Sequence, residues 1–312
     1  MSRIVPPADH AGITVDADAL FRLRHYVRHI PEQRLAPTGR PGGFAGKRRG
    51  NGLEIVDVRP FSEGDDSRHL DAATTARTGR PHVRTFRDER EKTALLVADF
   101  RPAMLWGTRR RLRSVAAADA LMLAGWRVVQ AGGRVGLLAL GLGEPAYVAP
   151  QAREKGMAAI AGGLARAHAI TLERAAAGHL DDAPLDRLLE PAGRLVPRGG
   201  TLFLATGLDV PGTDFDGLAL ALRRRARIVT ILVRDAFEEA PPRGAYPFLS
   251  GDAPAGLTGL RWAFVSGADT AVRPDPRRER LERLGAEVRI VAADAEYDRM
   301  AEALERDDVD RS

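Results

Sequence analysis

The sequence predicts an α/β fold: a doubly wound, mainly parallel sheet preceded by a small N-terminal helix and a charged β/loop region. Two observations carry this. From Thr93 onward, apolar runs of strand length alternate with stretches of helical period, the pattern of strands covered on both faces. Before Thr93 that alternation is missing, and acidic residues interleave with arginines instead. On this basis the chain divides into residues 1–90 and 91–312, which suits a prior of roughly 100 to 200 residues per domain.

Taken in order, residues 17–30 place Leu20, Leu23, Val27 and Ile30 at helical spacing, with arginines and histidines on the outer face. Pro31 and the Gly/Pro-rich segment 37–52 end that helix in a loop. His25 and His29, four apart, make half a metal site, but with no third ligand nearby they read as a solvated pair. Gly46-Lys47 follows a glycine cluster, yet Pro41 stands where a phosphate-binding loop needs its first glycine. Arg48 stands where Ser or Thr must hold magnesium, so that loop is rejected.

In the charged region Glu54, Asp57, Glu63, Asp65, Asp66 and Asp71 alternate with Arg59, Arg68, Arg77, Arg80, Arg84 and Arg87. Glu63-Gly64-Asp65-Asp66 and Arg77 to Pro81 read as turns, and His82 to Phe86 has strand composition. Flanking guanidinium groups keep Asp65 and Asp66 both ionised, which favours holding a turn over acid–base chemistry. The alternation serves either a salt-linked structural element or a partner-binding face, with Arg59, Asp66, Arg68 and Arg77 acting as a group.

Beyond it, strands are predicted at Thr93–Ala98, Arg134–Leu140, Thr201–Ala205, Ala226–Val233, Leu260–Val265 and Glu287–Ala292. Helices are predicted near 111–130, 151–177, 214–225, 276–284 and 296–305. His168 shares a helical face with Met157, Ile160 and Leu164 and reads as a core or edge histidine. Gly141 to Ala146 imitates a dinucleotide fingerprint, but Pro145 to Pro150 is extended where a helix must open, so a hairpin is expected and no nicotinamide or flavin.

Composition narrows the function. Cysteine is absent, which excludes disulfides, a thiolate nucleophile and Cys-based zinc, and makes the cytoplasm the expected compartment. No apolar run is long enough to span a bilayer, and the N-terminus lacks the uninterrupted apolar core of a signal peptide. The net charge of +5 raises nucleic acid as a partner. Against it stand an aromatic content of 5% and the interleaving of arginines with acids. The 7 histidines are scattered, with no HExxH and no GxSxG, so neither an enzyme nor a cofactor is expected.

Several short motifs occur in order. They are Gly52-Leu53-Glu54-Ile55, Val58-Arg59-Pro60-Phe61, Glu63-Gly64-Asp65-Asp66, Arg68, Asp71, Ala76-Arg77-Thr78-Gly79 and Phe86-Arg87-Asp88-Glu89-Arg90. Together with Val233-Arg234-Asp235, Glu238, Pro242 and Gly244, they resemble the domain of unknown function 58 family from about Gly42 to the C-terminus. Arg59, Glu63, Gly64, Asp65, Asp66, Arg68, Asp71, Arg77, Arg87 and Glu89 are its motif and interaction positions in this chain. The family's usual Asp-Trp is replaced at Asp71-Ala72, which removes a large packing anchor.

The resemblance implies that Thr93–Ala98 opens a von Willebrand factor A-like domain. Such a domain binds a divalent cation through Asp-x-Ser-x-Ser, a threonine and a later aspartate. Here the motif reads Asp99-Phe100-Arg101-Pro102-Ala103, both serines are replaced, and Asp209 lies two residues beyond the expected place after Thr206. The implied site is therefore degenerate, with Arg101 pairing Asp99 in place of the ion. The resemblance further implies an adapter for a MoxR-type AAA+ ATPase, acting in maturation or assembly of a client protein, as short members do in methanol oxidation. A nucleic-acid binder and a metal-dependent binding or hydrolytic domain are the alternatives.

Overall fold

The computed structural model of the chain describes residues 12–27, 53–62, 65, 67–88, 93–180, 183–249, 260–266 and 275–305. It forms two compact units, residues 1–34 with 92–312, and residues 35–91. The N-terminal helix is shorter than its periodicity suggests. Ala17–Arg22 (α1) is capped by Asp16, whose carboxylate accepts from the Ala19 amide at 2.7 Å, and a 3-10 turn, Leu23–Tyr26, follows. Leu20, Leu23 and Val27 lie in the core of the α/β unit, so this helix joins residues 92–312 and not the charged region, contrary to a division at residue 90. His29, Ile30 and the glycine-rich loop 37–52 lie outside the described residues.

In the smaller unit Leu53–Pro60 (β1) and His82–Asp88 (β2) pair antiparallel. Between them in sequence, Asp71 caps the helix Ala72–Thr78 (α2) by accepting from the Thr74 amide at 2.7 Å, and Gly79 ends it at φ 68, where a side chain would be strained.

The larger unit is built on six strands: Thr93–Asp99 (β3), Arg134–Leu140 (β4), Ala146–Ala152 (β5), Thr201–Thr206 (β6), Arg227–Arg234 (β7) and Glu287–Ala292 (β10). Their order is β10-β7-β6-β3-β4-β5; all neighbours are parallel except β5, which folds back antiparallel on β4. The Gly141–Ala146 stretch is thus the turn of a hairpin. Helices cover both faces. Arg113–Gln130 (α3), Arg153–Ala176 (α4) and Tyr297–Glu305 (α10) join α1 on one side, while Leu185–Leu189 (α5), Ala192–Leu195 (α6), Phe215–Arg223 (α7) and Pro276–Arg283 (α9) pack on the other.

The central strand shows why this arrangement is stable. Strand residues alternate between faces, so Ala94, Leu96 and Ala98 of β3 enter one core while Leu95 and Val97 enter the other. Burial of such side chains contributes roughly 1.5–3 kcal/mol each for Leu or Val. α3 is buried almost throughout its first four turns, and its small residues let it approach the sheet closely. At Gly125 an added Cβ would stand 3.1 Å from Leu96 Cδ1 and 3.0 Å from Met157 Cε.

One strand expectation is corrected. Leu260–Val265 (β9) does not enter the main sheet but pairs antiparallel with Gly244–Leu249 (β8), which follows the short helix Ala236–Glu239 (α8). Among the described residues, no helix is long and apolar enough to cross a membrane.

His168 of α4 is fully buried. Its Nε2 lies 2.9 Å from Ser114 Oγ, its ring meets Phe100 edge-on at 5.1 Å, and burial pushes its pKa down to about 4. The fold therefore favours the neutral ring, whereas the unfolded chain protonates near the ordinary histidine value. That contribution is complete above about pH 6.5 and is lost as pH falls toward 4. Between pH 7 and 4.5, urea denaturation should show the wild-type chain losing about 2–3 kcal/mol more stability than His168→Gln.

Candidate functional site

Parallel strands end together, so the loops after β3, β6 and β7 gather on one rim of the sheet. Ala98 stands opposite Ala205, which sets Asp99 beside Thr206. The Asp99 carboxylate is 0% exposed, and its oxygens are fully engaged. Oδ1 accepts from the Arg101 amide at 3.1 Å and Nε at 2.9 Å, while Oδ2 accepts from Arg101 Nη2 at 2.9 Å and the Thr206 hydroxyl at 2.7 Å.

Arg101, 1% exposed, is equally saturated. Beyond Asp99, its Nη1 donates to the carbonyls of Ala183 at 2.9 Å and Val210 at 3.1 Å, and its Nη2 to that of Asp209 at 2.7 Å. Every N–H of the guanidinium thus has an acceptor. The loop supplying the last two carbonyls is bent to do so: Leu208 and Val210 adopt φ 56 and φ 41, a region that costs an L-residue about 1–3 kcal/mol.

A divalent cation needs several oxygen ligands, and these residues do not fit one. The Asp99 lone pairs are spent on N–H and O–H donors, Ala103 brings no hydroxyl, and the Asp209 carboxylate turns elsewhere, to Arg113. Among the described residues, no group of three or more His, Asp or Glu is placed to hold a metal.

From Asp209 the ion pairs continue across the rim. Arg113, buried in the first turn of α3, also donates to Glu238 at 3.2 Å, and Glu238 accepts from Arg277 at 2.7 Å. Arg277 in turn grips Asp275, at 3.1 Å through Nε and 2.9 Å through Nη2. Glu238 and Asp235 cap α8 reciprocally, and Asp235 is anchored by the amide and hydroxyl of Thr108. Burial alone would raise the Asp235 carboxyl, but the Thr108 hydroxyl, the Phe237 and Thr108 amides and Arg113 together hold it below the usual range. Asp275 follows the same logic: burial opposes ionisation, and the Arg277 hydrogen bond outweighs it.

The charged-region residues lie in the smaller unit. Arg59 donates to both Asp65 oxygens at 2.7 and 2.6 Å, and Asp65 also accepts from the Ser62 amide at 2.8 Å. The Arg59 hydrogen bond, helped by that amide, lowers the Asp65 pKa. Arg68 and Arg77 are exposed, in the 3-10 turn Ser67–His69 and the last turn of α2, and Asp71 is the α2 cap. Arg87 falls on β2 with its side chain undescribed; Glu63, Gly64, Asp66 and Glu89 lie outside the described residues. Arg113, Arg277, Asp275 and Thr108 were not anticipated. Arg113 follows the Arg109-Arg110-Arg111 run, so nothing local set it apart.

Comparison with known proteins gives a family match: a family model described as "Protein of unknown function DUF58" covers residues 57–255. Uncharacterized proteins Rv1480 and MT1527 of two Mycobacterium tuberculosis strains are each 40% identical over 83 residues. Uncharacterized protein Mb1516 of Mycobacterium bovis shows the same identity over the same length. The matched stretch is 26% of this chain and 26% of each relative, so it spans about a quarter of their length. No solved structure matches.

Removing one partner of a buried, hydrogen-bonded pair strands the other charge, so Arg101→Ala should destabilise the chain by about 3–5 kcal/mol in urea denaturation. Arg59→Ala, on an exposed pair, should leave the unfolding midpoint nearly unchanged.

Proposed function

The chain belongs to the DUF58 family of proteins of unknown function, and from that premise we propose that it is a non-enzymatic interaction protein. It serves as an adapter that docks on a MoxR-type AAA+ ATPase and assists maturation or assembly of a client protein. On this reading the larger unit is a von Willebrand factor A-like domain whose adhesion site, Asp99, Arg101, Ala103, Thr206 and Asp209, is degenerate.

The observation that carries the reading is the saturation of Asp99 by Arg101 and Thr206. In cation-dependent adhesion an open metal position receives a carboxylate from the partner. Here the permanent cation is a guanidinium whose donors are spent inside the fold, so it offers nothing to an incoming carboxylate. Docking is then independent of divalent metal and uses the rim and surface of a rigid scaffold. His168 is enclosed in the core, and the rim carboxylates Asp99, Asp209, Asp235, Glu238 and Asp275 are committed to arginines or caps.

Calorimetric titration with Mg2+, Mn2+ and Ca2+ should give no binding heat, and the purified MoxR-type ATPase of the same organism should bind the chain and change its rate of ATP turnover. Micromolar cation affinity that disappears in Asp99→Ala overturns the metal-independent reading. Failure to bind the ATPase, together with DNA affinity that falls steeply with salt, would move the chain to the nucleic-acid class.

A further inference from the structure

The parallel strands β6, β7 and β10 also begin together, at the end of the sheet opposite the rim, and the segments leading into them are rich in arginine. α6 and the loop after it bring Arg194 and Arg198, the end of α7 brings Arg223, Arg224 and Arg225, and the end of α9 brings Arg283. Hydrogen bonds join these segments. The Gly199 amide donates to the Arg225 carbonyl at 2.7 Å and the Arg227 amide to that of Gly200 at 3.0 Å, while Arg225 Nε donates to the Val196 carbonyl at 2.7 Å. The Arg223 guanidinium lies over Gly285, between α9 and β10, so close that a Cβ there would stand 2.3 Å from its Cζ.

Charge at this end is unbalanced. Around the rim Arg109, Arg110, Arg113 and Arg277 each meet a carboxylate. Here Arg194, Arg198, Arg223, Arg224 and Arg283 are exposed, and among the described residues none of their guanidinium groups has an acceptor. Of the acids on the same elements, Glu287 is held by Arg227 at 2.7 Å, Glu282 by Arg278 at 2.8 Å and Asp216 by Arg280 at 2.7 Å. Glu190 makes no pair with Arg194 four residues on, and Glu279 lies in the first turn of α9, away from Arg283. Cations at a helix C-terminus offset its macrodipole, which accounts for Arg194, Arg223 and Arg283 singly. It does not account for Arg198, which is in a loop, or for three helix ends meeting with so little acid between them.

We propose that this end of the sheet docks an acidic segment of the partner protein, whose carboxylates take up the free guanidinium forks. The proposal rests on the adapter reading and deepens it. Leu220, 41% exposed, lies three and four residues before Arg223 and Arg224 and so shares their helix face. An apolar side chain set between cations suits an acidic segment that carries apolar residues of its own and has no counterpart on a phosphate backbone. Nucleic acid fits less well for a second reason. Single strands are held by stacking, and α6, α7, α9 and the loops that follow them carry no exposed aromatic side chain. A second copy of the chain would bring like charges together.

The probe is the purified MoxR-type ATPase of the same organism, its binding to the wild-type chain compared with Arg198→Glu/Arg224→Glu and with Arg166→Glu/Arg174→Glu. The second pair makes the same charge change on α4, which packs on the other face of the sheet. All four arginines are exposed, and each pair has one member at a helix C-terminus, so the two variants should melt alike. The change at Arg198 and Arg224 should raise Kd by about tenfold or more at low salt, and the change on α4 by less than about twofold. If the wild type binds and Arg198→Glu/Arg224→Glu binds equally well, the docking assignment is overturned and the adapter reading stands. The same follows if the α4 variant loses as much affinity, because net charge alone then explains the loss. If the wild type does not bind, both fall. A DNA duplex bound by the wild type and released by Arg198→Glu/Arg224→Glu would assign the surface to phosphate and overturn the proposal.

Discussion

The Asp99–Arg101 ion pair sits where the central strand leaves the sheet, and the rim is arranged around it. Two charges removed from water gain little net stability over an apolar replacement; their effect lies in specificity, because each unmet hydrogen bond in so dry a place is costly. A guanidinium is planar and its donors point in fixed directions, so meeting all of them fixes Thr206 and the carbonyls of Ala183, Asp209 and Val210 relative to β3. Segments far apart in sequence are thereby tied at one point.

That point is the start of a longer chain of charge. Asp209 passes it to Arg113, Arg113 to Glu238, Glu238 to Arg277, and Arg277 to Asp275. Because α8 is only one turn long, it has little stability of its own; its reciprocal cap and its two arginine contacts hold it. The β8–β9 ribbon inherits its position from this arrangement, through Phe237 against Tyr246.

The sheet was legible because its strands are continuous apolar runs, and five of the six predicted runs coincide with its strands. Leu260–Val265 was misplaced for a physical reason: an apolar run says that a segment is extended, not which neighbour it pairs with, and Trp262 and Phe264 are exposed despite their character. β5 was legible only as an extended stretch after a glycine turn, and α5 and α6 went unseen because one turn of helix has no period to detect. Asp99, Arg101 and Thr206 were legible as a group only through the motif they depart from. Arg113 and Arg277 meet the rim through tertiary contacts that no local pattern encodes.

The loop carrying Leu208 and Val210 has a kinetic consequence. A β-branched residue such as Val210 has no intrinsic tendency toward φ 41, so an isolated loop would not sample that shape for long. It becomes favourable only once β3 and β6 are paired and the guanidinium is in place to receive the two carbonyls. If the segment takes its shape only after β3 and β6 pair, perturbations within it act on the rate of unfolding and leave the refolding rate almost untouched.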